Sequence, residues 1–346
     1  MRTRALAGRI AGLTLLDVPD RPRLTPAVAD IRRAVRASLD ELDPGALVLV
    51  ALSGGADSLA LAAAVAFEAE RGGRRAGAIV VDHGLQDGSA DVARQAAAQA
   101  HALGLAPVLI EIVSVLPGGE GPEAAARTAR YRAFDDAVEA TGAAAVLLAH
   151  TLDDQAETVL LGLARGAGAA SLHGMAAVSG VLRRPLLGIR RASTRAACAD
   201  AGLAPWDDPH NDDPRYTRVR VRATVLPVLE DELGPGVAEA LARTADQLRE
   251  DGDALDAMAL DWALELVGQN DEGHVTVDAR GLAADPPALR QRIIRLVVQN
   301  EFGVALSRTQ TLAVAALVTD WHGQKGVDLP GVHATRQATT LTFAPS

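Results

Sequence analysis

The chain has 346 residues, a formal net charge of −10, 49% hydrophobic residues and 3% aromatic residues. That length suits two domains, the apolar share supports buried cores, and no apolar run reaches the roughly 20 residues a membrane span requires. The acidic balance argues against general coating of nucleic acid, while leaving room for a local basic groove.

In chain order, residues 1–24 read as an N-terminal extension: Arg2, Arg4 and Arg9 precede a short apolar piece that lacks a cleavage site. From 46 to 149 apolar runs alternate with Ala-rich stretches. The runs Leu47–Leu52, Ala78–Val81, Val108–Val113 and Ala144–Ala149 read as strands, and Ser58–Arg71, Ser89–Leu103, Glu123–Thr141 and Asp153–Arg165 as helices. Strands that are apolar throughout, separated by helices, predict a parallel sheet covered on both faces, in a Rossmann-like α/β domain. Ligands of such sheets lie beyond the carboxyl ends of the strands.

After Arg165 follow a Gly-rich loop, a strand near Val181–Arg183, a helix over Ser193–Ala201 and a polar loop, Pro205–Arg215. An Arg-rich helix then runs toward Leu229. Val237–Val267 reads as a linking helix pair. The remainder offers a strand at His274–Val277, helices at Ala288–Asn300 and Arg308–Thr319, and a hairpin from Gly326 to Phe343. The expected organisation is an α/β domain over 25–230, a helical linker over 231–269 and a smaller α+β domain over 270–346.

The first strand ends in V-A-L-S-G-G-A-D-S, with Ser53, Gly54, Gly55, Ala56, Asp57 and Ser58 between strand and helix. Glycines let the backbone turn and approach a ligand closely, and free N–H groups at a helix N-terminus favour phosphate. Asp57 beside phosphate suggests a bridging Mg²⁺. The plain alternative is a glycine turn with Asp57 or Ser58 capping the helix. A Walker A loop is excluded, because it requires a lysine.

This S-G-G-x-D-S string resembles the pyrophosphate-binding loop of the ATP pyrophosphatase, or PP-loop, group. Further motifs narrow the resemblance: V-D-H-G-L at Val81–Leu85, A-A-A-R-T-A-R-Y at Ala124–Tyr131, L-A-H-T-L-D-D-Q-A-E-T at Leu148–Thr158, and R-R-P-L-L at Arg183–Leu187. In this order and spacing they look like the tRNA(Ile)-lysidine synthases, over roughly residues 45–225. The resemblance implies that ATP adenylates C2–O of the wobble cytidine of a tRNA(Ile) with anticodon CAU. The amine of free L-lysine then displaces AMP, and the product, lysidine, decodes AUA. It further implies a cytoplasmic ATP- and Mg²⁺-dependent ligase whose smaller C-terminal domain grips tRNA; a homodimer is left open.

The same resemblance sets out the expected roles. Ser53 to Ser58, Val81, His83 and His150 bind ATP, with Asp57 on Mg²⁺ and in catalysis. Arg127 and Arg130 point at the reacting phosphates. Asp153, Asp154 and Glu157, one helical turn apart, hold the lysine amines, bind Mg²⁺ or supply the general base. Acidic residues at a helix N-terminus also have a plain dipole explanation. Arg184, Arg190, Asn211, Arg215, Arg218, Arg220 and Arg222 are expected on tRNA, with Arg183, Arg191 and Arg195 in the same basic runs, although surface arginines are commonly just solvated.

Two positions depart from the family pattern: Thr151 stands where a second histidine follows His150, and Val219 where an asparagine is usual. A tRNA thiolase of the same group needs sulfur-carrying cysteines, against which the single Cys198 argues; Cys198 itself reads as core packing. A non-catalytic adenine-nucleotide sensor would not need the intact acidic cluster. Lysine likewise occurs once, as Lys325, which suits an enzyme whose lysine arrives as substrate.

Overall fold

The structure is a computed structural model describing residues 24–84, 88–113, 122–166 and 168–346. The N-terminal extension, apart from Leu24, and Leu85 of the V-D-H-G-L motif lie outside the described residues. The chain forms two compact units. One takes the chain up to Leu161 with Met175–Ala242, and the other takes Gly162–Gly174 with Arg243–Ser346. The division thus falls inside a helix, later than residue 230, and gives the second unit a loop that the sequence does not assign to it.

The first unit opens with α1 (Pro26–Leu39), which the sequence reading missed. Its signals are local: Thr25 caps the helix through its side chain, Pro26 occupies the first turn, and Ile31, Val35 and Leu39 form one buried stripe. The order continues β1 (Leu47–Ala51), α2 (Ala56–Arg71), β2 (Arg75–Asp82), α3 (Ser89–Ala102), β3 (Val108–Ile112), α4 (Pro122–Thr141), β4 (Ala145–Leu147) and α5 (Leu152–Ala164). After β5 (Val178–Ser179) and β6 (Leu182–Arg183) come α6 (Arg191–Asp200), α7 (Thr217–Arg220), a π-turn over Val221–Val225, and α8 (Leu226–Glu232). The sheet order is β3-β2-β1-β4-β6-β5, parallel except for β5. The predicted strand near Val181–Arg183 is therefore one arm of a short hairpin.

Alternation along β1 sends Val48 and Val50 into the core formed with α1, α2, α3 and α6. Leu47 and Leu49 enter a second core with Phe134 and Ala137 of α4. Both faces are buried, as the continuous apolar strands require. A third cluster joins Leu152 and Ala156 of α5 to Val221 and Leu226.

Where the sequence suggests a helix pair, the structure has one 30-residue helix, α9 (Val237–Leu266). No proline interrupts this stretch, and Asp251–Gly252 is accommodated within the helix. Its buried Gly252 lies against the His173 ring of the Gly162–Gly174 loop, where a Cβ would come within 2.5 Å of Cε1. In the second unit, β7 (Val267–Gln269), β8 (Val275–Asp278), α10 (Ala279–Ala284), α11 (Pro287–Phe302), α12 (Arg308–Thr319), β9 (Val327–Leu329), β10 (Val332–Gln337) and β11 (Thr340–Pro345) follow. Their antiparallel sheet, ordered β7-β8-β11-β10-β9, is an α+β arrangement. The predicted hairpin is its β10–β11 pair, with β9 as a third strand. No helix among the described residues is long and apolar enough to cross a membrane.

Gly77 of β2 is required by close approach. A Cβ there would overlap the Pro107 carbonyl oxygen and lie 2.9 Å from Leu49 Cδ2. Gly77→Ala is expected to cost about 1–3 kcal/mol in urea unfolding, through overpacking. Gly188→Ala, with nothing within 4 Å of the added methyl, serves as the control and should leave the midpoint nearly unchanged.

Candidate active site

At the carboxyl end of β1 the chain turns through Gly54, whose φ of +83° is the left-handed conformation that favours glycine. Gly55 is the N-cap of α2, and no side chain caps that helix. Ser58 braces the turn from within: its hydroxyl donates to the Gly55 carbonyl (2.9 Å) and accepts from Ser53 N–H (3.2 Å). Trp206 N–H donates to the Gly54 carbonyl at 2.9 Å. The result is a braced loop at an uncapped helix N-terminus, an arrangement suited to phosphate. Asp57 does not cap α2; it turns to α6, accepting the Thr194 hydroxyl and lying 3.6 Å from Arg191 Nε. Burial pushes its carboxyl above the usual range, against the pull of Thr194 and Arg191.

At the end of β2, Asp82 accepts Gly84 N–H at 3.0 Å. Next to it, His83 Nε2 accepts from Arg130 at 3.1–3.3 Å. Accepting at Nε2 places the proton on Nδ1, which is buried and has no partner. That donor can serve an acceptor atom of a ligand. Burial, then the neighbouring Arg130, holds the imidazole below its ordinary pKa. Arg127, one turn earlier on α4, lies over the Tyr131 ring and donates to its hydroxyl at 3.1 Å.

Beyond β4, Thr151 begins α5 as its N-cap. Asp154 N–H approaches Thr151 Oγ1 at 3.4 Å, and the Asp154 carboxylate accepts Thr151 N–H and hydroxyl at 2.8 Å each. This is a capping box. Burial alone would raise the Asp154 carboxyl, but Arg191 and Thr151 carry it below the ordinary range. His150, just before, has a buried and unpartnered Nδ1, and burial lowers its pKa to about 4.

Glu157, one turn on, is fully buried and ringed by arginines. Arg222 donates to both its oxygens (2.8 and 3.1 Å), Arg191 reaches Oε1 at 3.2 Å, and Arg218 lies 3.4 Å from Oε2. Arg191 also donates to Asp154 at 2.7 Å, while its backbone N–H donates to Asp153 at 2.7 Å. Arg190 joins Asp153, Glu230 and Glu239. Glu230 in turn accepts Gly236, Val237 and Ala238 N–H at the start of α9. Those backbone donors, Ala238 foremost, and Arg190 lower its pKa to about 2. A cavity of about 150 Å³ lies among Asp153, Glu157, Arg190, Arg191, Arg222 and Glu230.

These motifs have relatives of known identity. Residues 28–229 match the PP-loop domain family, and residues 278–342 match the TilS substrate binding domain. The chain is 71% identical over 304 residues to a tRNA(Ile)-lysidine synthase of Leifsonia xyli subsp. xyli, covering 88% of this chain and 91% of that protein. The chain belongs to the tRNA(Ile)-lysidine synthase family. A tRNA(Ile)-lysidine synthase of Thermobifida fusca is 53% identical, covering 90% of this chain and 95% of its own length. Among solved structures, the U34-tRNA thiolase NcsA from Methanococcus maripaludis with its [4Fe-4S] cluster superposes with a TM-score of 0.54 at 20% identity. It covers 65% of this chain and 80% of its own, a likeness in fold alone.

In this lysidine-synthase chain the structure brings Ser53–Ser58, Asp153, Asp154 and Glu157 into one neighbourhood through Arg191, with His83 and Arg130 paired with each other. Of the arginines expected on tRNA, Arg190, Arg218 and Arg222 turn to carboxylates, and buried Arg184 donates to the Ala176 carbonyl at 2.9 Å. Arg215 is exposed and paired with Asp213; exposed Arg220 donates to the Pro214 and Arg215 carbonyls, and Asn211 is exposed. Val219 is buried and supplies packing. Sequence reasoning gave no site role to Thr194, Trp206 or Glu230, and counted Arg191 only in a basic run expected to meet tRNA; the structure turns Arg191 to Asp57, Asp154 and Glu157 instead.

The lowered pKa of His150 makes stability depend on pH. The unfolded imidazole titrates near 6.5 and the folded one near 4, so the unfolded chain takes up the proton first as pH falls. This contribution is complete above pH about 6.5 and is lost progressively toward pH about 4. Chemical unfolding at pH 7 and pH 5 should show wild type losing on the order of 1–2 kcal/mol more than His150→Gln over that interval.

Proposed function

We propose that this chain forms lysidine in two steps within the neighbourhood joined by Arg191. The reaction class, ATP-dependent ligation, comes with membership of the lysidine synthase family. The observation that carries the two-step reading is the position of Arg191 itself. One guanidinium lies 3.6 Å from Asp57 of the phosphate loop, 2.7 Å from Asp154 and 3.2 Å from Glu157. A phosphoryl group held at the loop and an amine held at α5 then share one site.

In the first step, the C2 oxygen of the wobble cytidine of tRNA(Ile) attacks the α-phosphorus of ATP, and the bond to pyrophosphate breaks. The loop N–H groups and Ser53 hold the phosphates, Val81 and His83 meet the nucleotide, and Arg127 and Arg130 face the reacting phosphate. Among the described residues no group of three or more His, Cys, Asp or Glu is arranged to hold a metal ion. Asp57, as one carboxylate at the loop, fits Mg²⁺ bound mainly through substrate phosphates and water, where it would offset triphosphate charge.

In the second step, the ε-amine of free L-lysine attacks C2 and AMP departs with the oxygen. The amine's proton passes to a carboxylate of α5. The cavity beside α5 suits the zwitterion. Asp153, Glu157 and Glu230 face ammonium groups, and Arg190, Arg191 and Arg222 face the α-carboxylate. On this reading Arg184, Arg190, Arg218 and Arg222 organise the site, and Asn211, Arg215 and Arg220 meet the RNA, with the second unit as a further grip. Its substrates place the enzyme in the cytoplasm.

Incubation with ATP, Mg²⁺, radiolabelled lysine and transcripts differing at the wobble base tests the reading. Label should enter the CAU transcript of tRNA(Ile) and not tRNA(Met); cleavage of ATP without incorporation of lysine overturns it. Asp57→Ala should lower tRNA-dependent ATP–pyrophosphate exchange by about a hundredfold or more. Retained exchange places the phosphate site elsewhere.

A further inference from the structure

Thr151, the residue that replaces the family's second histidine, is fully buried and spends every polar group on α5. Its N–H and its hydroxyl both donate to Asp154 Oδ2 at 2.8 Å, and its carbonyl accepts Gln155 N–H at 3.1 Å. A cap needs only one side-chain oxygen to receive a helix N–H. Here two donors converge on a single carboxylate oxygen, leaving Oδ1 turned to Arg191 Nη2 at 2.7 Å and to Arg222 at 3.5 Å. The orientation of Asp154 is therefore fixed from one side by Thr151 and read from the other by Arg191 and Arg222, two of the arginines that line the cavity.

We propose that Thr151 is a positioning residue for the lysine-transfer step: by holding Asp154, it sets Arg191 and Arg222 where they receive the α-carboxylate of free lysine. This rests on the two-step reading above. The role requires no proton transfer by residue 151, so the missing histidine is replaced in architecture and not in acid–base chemistry. A hydroxyl suffices where the neighbouring group is a carboxylate to be held.

The test separates the two half-reactions in Thr151→Val, which keeps shape and the backbone donor but removes the hydroxyl, and in Thr151→Ser, which restores the hydroxyl. Adenylation is read as pyrophosphate released from ATP with the CAU tRNA(Ile) transcript in the absence of lysine, and transfer as lysine incorporation over a range of lysine concentrations. Thr151→Val should raise the KM for lysine about tenfold, as expected for one lost charged hydrogen bond, and leave the adenylation rate within about twofold. Thr151→Ser should return the lysine KM to near wild type. A merely structural cap predicts something else: both half-reactions fall in parallel with the thermal midpoint. That result, or an unchanged lysine KM in a folded Thr151→Val protein, overturns the proposal. Wild-type protein that adenylates but never incorporates lysine refutes instead the reading on which the proposal rests.

Discussion

The neutralisation of Glu157 organises the first unit. A fully buried carboxylate cannot stand alone in a low-dielectric interior, and removing one partner of such a pair leaves a charge that costs several kcal/mol. Glu157 recruits Arg191 from the start of α6, Arg218 from α7 and Arg222 from the π-turn. Three segments that adjoin β6, the polar loop and α8 are thereby fastened to α5. Arg191 then carries the constraint onward to Asp57 and the phosphate loop. The arrangement of the site is thus inseparable from the requirement that this one charge be compensated.

A second constraint is the sheet itself. Burial on both faces aligns β1, β2 and β4 so that the phosphate loop, the Asp82–His83 pair and His150 all emerge at the carboxyl ends. The loop's geometry depends on local features: a left-handed Gly54, a hydroxyl brace at Ser58 and the backbone contact from Trp206. Each is inexpensive alone, and together they leave the α2 N-terminus uncapped and available.

What was legible in the sequence was what is local. The S-G-G-A-D-S turn, the buried strands and the acidic turn of α5 are written in adjacent residues, as are the caps of α1, although Thr25–Pro26 and the Ile31–Val35–Leu39 stripe went unread. Arg191 was illegible as a hub because its carboxylate partner Asp154 lies 37 residues away and Asp57 farther still. For the same reason Arg190, Arg218 and Arg222, read in the sequence as a basic run facing RNA, are found against carboxylates. The long α9, read in the sequence as a helix pair, runs unbroken through Gly252. That residue's lack of a side chain admits the His173 ring, a packing relation that no window of sequence contains.

The use of arginine throughout the site has a chemical corollary. Guanidinium groups stay protonated under all ordinary conditions and so present charge and directed hydrogen bonds without a nucleophilic lone pair. On the two-step reading proposed above, an activated tRNA adenylate would meet arginines that cannot attack it, whereas a lysine ammonium there could lose its proton and capture the intermediate. With Lys325 as the sole lysine of the chain, that reading leaves a single side-chain amine of the protein's own to compete with the lysine brought in as substrate.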